Sequence, residues 1–258
     1  MNKIKALCLC TLLSTSSTAF ATIVEFETSQ GSFQVNLFDQ TTPITVNNFL
    51  RYVDQDSYQD STVHRSVPNF VLQGGGFKYE GTIPLDRIET FSSIQNEPVL
   101  SNVRGTIAMA KLSNSANSAT SQWYFNLKDN SVSLDATNGG YTVFGQVTTE
   151  QGMAVIDKIA ALERCGEVPV VNYTSSQCID TSVDPDESNL VTVNNIVIID
   201  ADPTTAVNLS PKSNTLIDNL PTPTPNPVPE PEKSSSGSLL TSLFLMVGIV
   251  GRRYRKKR

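Results

Sequence analysis

The chain has 258 residues, 39% of them hydrophobic and 17% charged, which is enough apolar content for a substantial core. Its formal charge of −6 hides an asymmetry: nine of the 19 basic residues lie at the ends, leaving ten against 25 acidic residues in Thr22 to Glu232, a net of −15. Such a body repels nucleic acid and suits a soluble monomer. Abundant Gly, Pro, Ser, Thr and Asn favour an all-β domain with many turns.

In chain order, Lys3 and Lys5, an apolar stretch from Ala6 to Leu13 and the ending Ala19-Phe20-Ala21 have the three regions of a signal peptide, so residues 1–21 are expected to be removed. A buried N-terminal helix is the competing reading. Ile23 to Phe26 and Phe33 to Phe38 alternate apolar and polar residues around Ser29-Gln30-Gly31, which predicts a β-hairpin. Thr42-Pro43 predicts a helix start with a capping hydroxyl, followed by a stripe of Ile44, Val46, Phe49, Leu50 and Val53. Gly81 to Glu97 reads as a surface loop, Thr106 to Ala110 as a buried strand and Ser113 to Ser121 as a loop. Gln122 to Leu127 is expected to be a strand with three aromatics in a row, Asp129 to Gly140 a loop and Tyr141 to Val147 a strand. Thr149 to Leu162 has the apolar spacing of a second amphipathic helix. Glu163 to Asn189 is an acidic excursion, and Val191 to Ile199 a closing strand.

Cys8 and Cys10 leave with the leader, so Cys165 and Cys178 form an even pair in an exported chain, most simply a disulfide. Metal binding fits poorly, because neither histidine nor a third cysteine accompanies them. No metal or cofactor is called for elsewhere.

The densest stretch is Val63 to Gly76, where His64, the sole histidine, is followed by Arg65, Pro68-Asn69, Phe70-Val71-Leu72, Gln73 and three glycines. The glycines allow a sharp turn at positive φ. His64-Arg65-x-x-Pro68-x-Phe70-x-x-Gln73-Gly74-Gly75, with RGTIAMA from Arg104, SATSQWYFN from Ser118 and YTVFGQV from Tyr141, resembles the cyclophilin family of peptidyl-prolyl cis/trans isomerases. The resemblance covers Thr22 to Asp202. It implies a mainly β fold, a closed eight-stranded antiparallel β-barrel capped by two α-helices, in a domain spanning residues 22–202.

It also implies the site. Arg65 matches the catalytic arginine, Gln73 the glutamine that orients it, and Phe70, Val71, Tyr124, Leu134 and Tyr141 the pocket for the proline ring. Gln122 and the backbone around Ala110 and Lys111 match positions that hold the substrate chain. His64 is expected beside the groove as a packed, substrate-side residue rather than a base. The partners implied are proline-containing peptides and folding exported proteins. Tyr124 stands where the family usually has phenylalanine, so its hydroxyl needs a partner. Ser133 stands where many members have an aromatic residue, which weakens the expected affinity for cyclosporin.

Residues 203–233 are expected to be a Pro-rich linker, with Pro221 to Pro231 extended as polyproline II. Residues 234–258 combine a Ser/Gly run, an apolar run from Leu239 to Val250 and a basic end. This resembles the C-terminal sorting signals of Gram-negative bacteria, of the Gly-Gly or the Pro-Glu-Pro type, and would engage a sorting protease. Twelve apolar residues rise only about 18 Å as a helix, short of the roughly 20 residues that span a bilayer. Transient or permanent inner-membrane association of Leu239 to Val250 therefore stays open, with export to the periplasm or cell surface expected. Two rival functions remain at this level: a cyclophilin-like peptide clamp without useful catalysis, and a hydrolase pairing a serine with His64. The second lacks a G-x-S-x-G elbow or an acid-oriented Ser-His pair.

Overall fold

A computed structural model describes residues 22–180, 184–202, 205–206 and 209–217. The expected leader (1–21), the Pro-rich stretch and the tail with its apolar run (234–258) lie outside the described residues. Among the described residues, no helix is long and apolar enough to cross a membrane.

The strands are β1 (Ile23–Thr28), β2 (Gly31–Leu37), β3 (Ser61–Thr62), β4 (Arg65–Val67), β5 (Val71–Gly74), β6 (Phe77–Lys78), β7 (Asp86–Arg87), β8 (Thr106–Met109), β9 (Trp123–Asn126), β10 (Val143–Val147), β11 (Glu163–Cys165), β12 (Val168–Val170) and β13 (Thr192–Asp200). The helices are α1 (Pro43–Asp54), α2 (Ser131–Leu134) and α3 (Glu150–Ala160). Eleven strands form one antiparallel sheet in the order β4-β5-β9-β8-β10-β2-β1-β13-β3-β6-β7, and β11 and β12 make a separate hairpin. The fold is mainly β with few helices, but the expected closed eight-stranded barrel is not what the pairing gives: the ladder runs open from β4 to β7.

The sheet curls nonetheless. Strands β1 and β9 are four places apart, about 19 Å on a flat sheet, yet the rings of Phe26 and Trp123 are 5.2 Å apart, edge to face. Phe26 also meets Phe33 and Phe125 at 5.1 and 5.4 Å. These rings, with Phe49 and Phe144, form the main core. Curling is what lets one face of the sheet close on itself around aromatic volume.

The glycine run after β5 is set by that core as well as by the turn. Gly75 has φ +74°, and a Cβ on Gly74 would stand 2.5 Å from the Trp123 ring. Trp123 needs bare backbone above it.

Both longer helices form where predicted, with changes in detail. The stripe of α1 buries Val46, Phe49, Tyr52 and Val53, whereas Ile44 is 40% exposed. Thr42 makes no side-chain cap. Instead the carboxylate of Glu97 accepts from the amides of Ile44 and Thr45 at 3.2 and 2.8 Å and from the Thr45 hydroxyl at 2.8 Å. An anion at a helix N-terminus satisfies free donors and suits the helix dipole, so the end of the long 81–97 loop is pinned to α1. In α3 the Thr149 hydroxyl accepts from the Gly152 amide at 3.0 Å and caps the helix.

Described residues beyond Asp202 also pack on the body. Ser213 bridges Leu100 in antiparallel fashion, the Asn214 amide donates to Val99 O at 2.9 Å, and Asn214 is 5% exposed. Its side chain donates to Pro98 O and Asp135 O at 2.9 and 2.7 Å. A chain ending at Asp202 is therefore expected to be less stable than one ending at Ile217 by about 3 kcal/mol, from lost burial and buried acceptors left unpaired; urea denaturation of the two will measure it. Gly74→Ala is expected to cost about 2 kcal/mol by overpacking against Trp123, read as a lower urea midpoint with an unchanged slope.

Candidate functional site

Strand periodicity assembles the site. Across the sheet Arg65 pairs with Gln73, Gln73 with Tyr124, Tyr124 with Ala108 and Ala108 with Val143. Directly paired residues of an antiparallel sheet share a face, so these five form a row. Their neighbours Leu72, Trp123, Phe125, Ile107, Met109 and Phe144 point the other way, into the main core. The run Trp123-Tyr124-Phe125 is thus split by the period of two: the outer two rings build the core and the middle one faces the site.

On that outer face a second apolar cluster gathers Val71, Ala108, Tyr124, Leu134, Val143, Leu100 and Phe38, with Phe70, Ala110 and Tyr141 packed against it. All the residues assigned to a proline pocket therefore come together. Tyr124 and Tyr141 stand edge to face at 6.1 Å. Leu134 arrives on α2, a short helix inside the stretch that sequence gave as a loop.

The Tyr124 hydroxyl finds its partner. Burial pushes its pKa well above the ordinary phenol value, and the neutral group donates to Asn102 Oδ1 at 2.8 Å. Asn102 is the centre of a buried network. Its backbone and side-chain amides donate to Asp135 Oδ1 at 2.8 and 3.1 Å, and the side chain also donates to Tyr141 O at 3.0 Å. The Asn126 amide donates to Asn102 at 3.2 Å, and the Asn130 amide donates to Phe70 O at 2.8 Å. Phe70, Tyr124 and Tyr141 are thereby tied together through one buried polar network, in which Asn130 Oδ1 alone of the named side-chain atoms has no partner, and which restricts their positions. Nothing in the sequence pattern singled out Asn102 or Asp135.

Three polar side chains have partners far from them in the chain. Gln73 Nε2 donates to Gln122 Oε1 at 2.8 Å, so Gln73 orients Gln122. The Arg65 guanidinium meets Glu167 instead, with Nε and Nη2 donating to the two carboxylate oxygens at 2.8 and 3.3 Å. Glu167 lies 102 residues away, inside the acidic excursion, and no local signal joined the two. Lys111 turns its ammonium onto the 138–140 loop, donating to Asn138 O and Gly140 O at 3.0 and 2.6 Å and lying 4.7 Å from the centre of the Tyr141 ring. Burial lowers its pKa to about 8. Its side chain secures that loop.

His64 sits apart from the apolar cluster. Its ring packs edge-on to Phe77 at 4.7 Å and lines a different apolar cavity with Ile83, Pro84, Leu85 and Cys165. Burial lowers its pKa to about 4, against smaller opposing effects of hydrogen bonds with the Thr62 backbone and the Gln122 side chain. Among the described residues it meets no serine–carboxylate pair that could make it a hydrolase base. Beyond Gln73 and Gln122 lies a cavity of about 290 Å³ bordered by Gly76, Arg87, Thr90 and Lys111, which extends the groove along the sheet. Cys165 and Cys178 are joined in a disulfide.

Comparison with known proteins agrees with this geometry. The family profile of the cyclophilin type peptidyl-prolyl cis-trans isomerases matches residues 23–178. A peptidyl-prolyl cis-trans isomerase of Acinetobacter baylyi is 40% identical over 159 residues, covering 60% of this chain and 78% of the relative. Peptidyl-prolyl cis-trans isomerase A of Dickeya dadantii is 38% identical, over 65% of this chain and 88% of the relative. Peptidyl-prolyl cis-trans isomerase B of Escherichia coli is also 38% identical, over 53% and 83%. With more than half its length matched and the arginine, glutamines and apolar pocket brought onto one face, the chain belongs to the cyclophilin family of peptidyl-prolyl cis-trans isomerases.

Proposed function

We propose that the groove on the outer face of β4, β5, β9 and β8 accelerates rotation about X-Pro bonds, with Arg65 as the catalytic group, and that its substrates are proline-containing segments of exported proteins. The observation that carries the reading is the row Arg65-Gln73-Tyr124 standing over the apolar cluster of Phe70, Val71, Leu134 and Tyr141. Hydrogen-bond donors stand beside an apolar surface.

The chemistry follows from the bond. An amide resists rotation by about 18–20 kcal/mol because nitrogen shares its lone pair with the carbonyl, and for X-Pro the uncatalysed step takes tens to hundreds of seconds. In the twisted state the lone pair is localised on a pyramidal nitrogen. A fixed guanidinium can donate to it, and does so better there than in either planar form, which is the requirement for catalysis. The pocket holds the proline ring while the preceding residue turns, and Gln122, braced by Gln73, faces the peptide backbone. No proton leaves any atom, so neither His64 nor a nucleophile is needed. Export is supported by the Cys165–Cys178 disulfide, a bond that persists in oxidising compartments.

Arg65→Ala is expected to lower kcat/KM for a short X-Pro peptide by about a hundredfold, with peptide binding largely kept because the apolar pocket is untouched. An unchanged rate would remove Arg65 from the mechanism. The sole histidine provides a second check. Since the folded-state pKa of His64, about 4, is below its ordinary 6.5, the unfolded chain binds more protons between those values. Stability therefore falls as pH drops from about 6.5 to about 4, by about 3 kcal/mol in all. His64→Gln should flatten that part of the urea-midpoint profile, and the His64 ring resonance should stay fixed between about pH 5.5 and 8; a titration near 6.5 would contradict the buried, neutral ring.

A further inference from the structure

Strand β4, which carries Arg65, is the edge of the eleven-stranded sheet. An edge strand exposes a row of unpaired backbone groups, and proteins cover it. Here the cover is the β11–β12 hairpin, whose turn has Gly166 at φ +63° with Glu167 next to it. Ser66 N–H donates to Glu167 O at 2.6 Å. The same residue sends its carboxylate onto Arg65 at 2.8 Å. Glu167 is thus fastened twice to consecutive residues of the catalytic strand, once through its backbone and once through its side chain.

The hairpin is itself anchored. Cys165, at the last position before the turn, is bound to Cys178, Val170 bridges Leu190 and is 2% exposed, and the Val171 amide donates to Asn189 O at 2.8 Å. The carboxylate therefore has a fixed address. Gln73, the residue the family resemblance made the orienting group, is engaged with Gln122.

We propose that Glu167 is the positioning residue for Arg65 in the isomerase reaction. The carboxylate takes the Nε edge of the guanidinium and one proton of Nη2, leaving Nη1 and the other Nη2 proton for the substrate amide. A long, flexible side chain is thereby held in one orientation before the peptide arrives. The opposing effect is dilution of the arginine's charge. It is the smaller one, because the pair is open to water, with side-chain exposures of 31% for Arg65 and 58% for Glu167, and solvent already screens it. For the same reason the pair contributes little to folding stability, which separates the positioning role from a structural one.

The inference rests on Arg65 being the catalytic group, so Arg65→Ala is measured beside the variants of Glu167. Glu167→Ala is expected to lower kcat about tenfold with KM little changed and the thermal midpoint unmoved. Glu167→Asp, which keeps a carboxylate, should recover part of the loss. In an Arg65→Lys background, where the two-point contact cannot form, Glu167→Ala should add nothing. In ¹⁵N spectra the Arg65 Nε–H resonance should exchange with water faster once Glu167 is replaced. A wild-type or higher rate for Glu167→Ala, beside a strong loss for Arg65→Ala, overturns the inference and leaves the catalytic arginine standing. An equal proportional loss in the Arg65→Lys background also overturns it. A wild-type rate for Arg65→Ala removes the catalytic reading itself.

Discussion

Strand β9 has to satisfy two apolar clusters at once, and most of the architecture follows from that demand. Trp123 and Phe125 enter the aromatic core while Tyr124 enters the cluster under the groove, because consecutive side chains of a strand cannot share a face. On one side the curled sheet and α1 close over the rings. On the other, α2, the 138–140 loop and the segment around Leu209 and Asn214 complete a smaller cover. The groove is therefore the outer surface of a strand whose inner surface is the core, and little backbone movement is open to it.

Polar groups hold what apolar packing cannot specify. Asn102, Asp135 and Asn126 lie within the protein, at 0%, 1% and 0% exposure, and each is satisfied by partners that touch the pocket. Buried networks of this kind cost much when broken and rigidify when complete. They explain how a tyrosine is tolerated where its hydroxyl faces inward, and why the pocket can be made partly of short loop pieces. Rigidity beneath Tyr124 and the two-point hold of Glu167 on Arg65 both limit movement of the groove.

Much of this was legible in sequence where local pattern governs. The β1–β2 hairpin, the two longer helices, the strands through Thr106, Trp123 and Val143 and the disulfide pair were readable from periodicity, turn residues and cysteine count. The apolar wall of the site was readable through the family resemblance, since each of its residues sits in a matched block. What escaped was decided by contacts far apart in the chain. Glu97 caps a helix 52 residues upstream, Glu167 reaches Arg65 across 102, and Asn214 reaches Asp135 across 79. No periodicity reports such pairs. The partners of the His64 and Lys111 side chains were equally hidden, since Phe77 and the carbonyls of Asn138 and Gly140 lie far from them in the chain. The closed barrel was an inheritance from the resemblance that the open strand order does not support.

The late attachment of residues 213–217 has a mechanical side. Ser213 lies against Leu100, and Asn214 holds the carbonyl of Asp135, the residue whose carboxylate anchors Asn102 beneath Tyr124. A pull on the C-terminal end of the described body would be borne first by that bridge and that amide, beneath Tyr124, rather than by the sheet. Force on residues 213–217 and the packing beneath Tyr124 share the same hydrogen-bonded links.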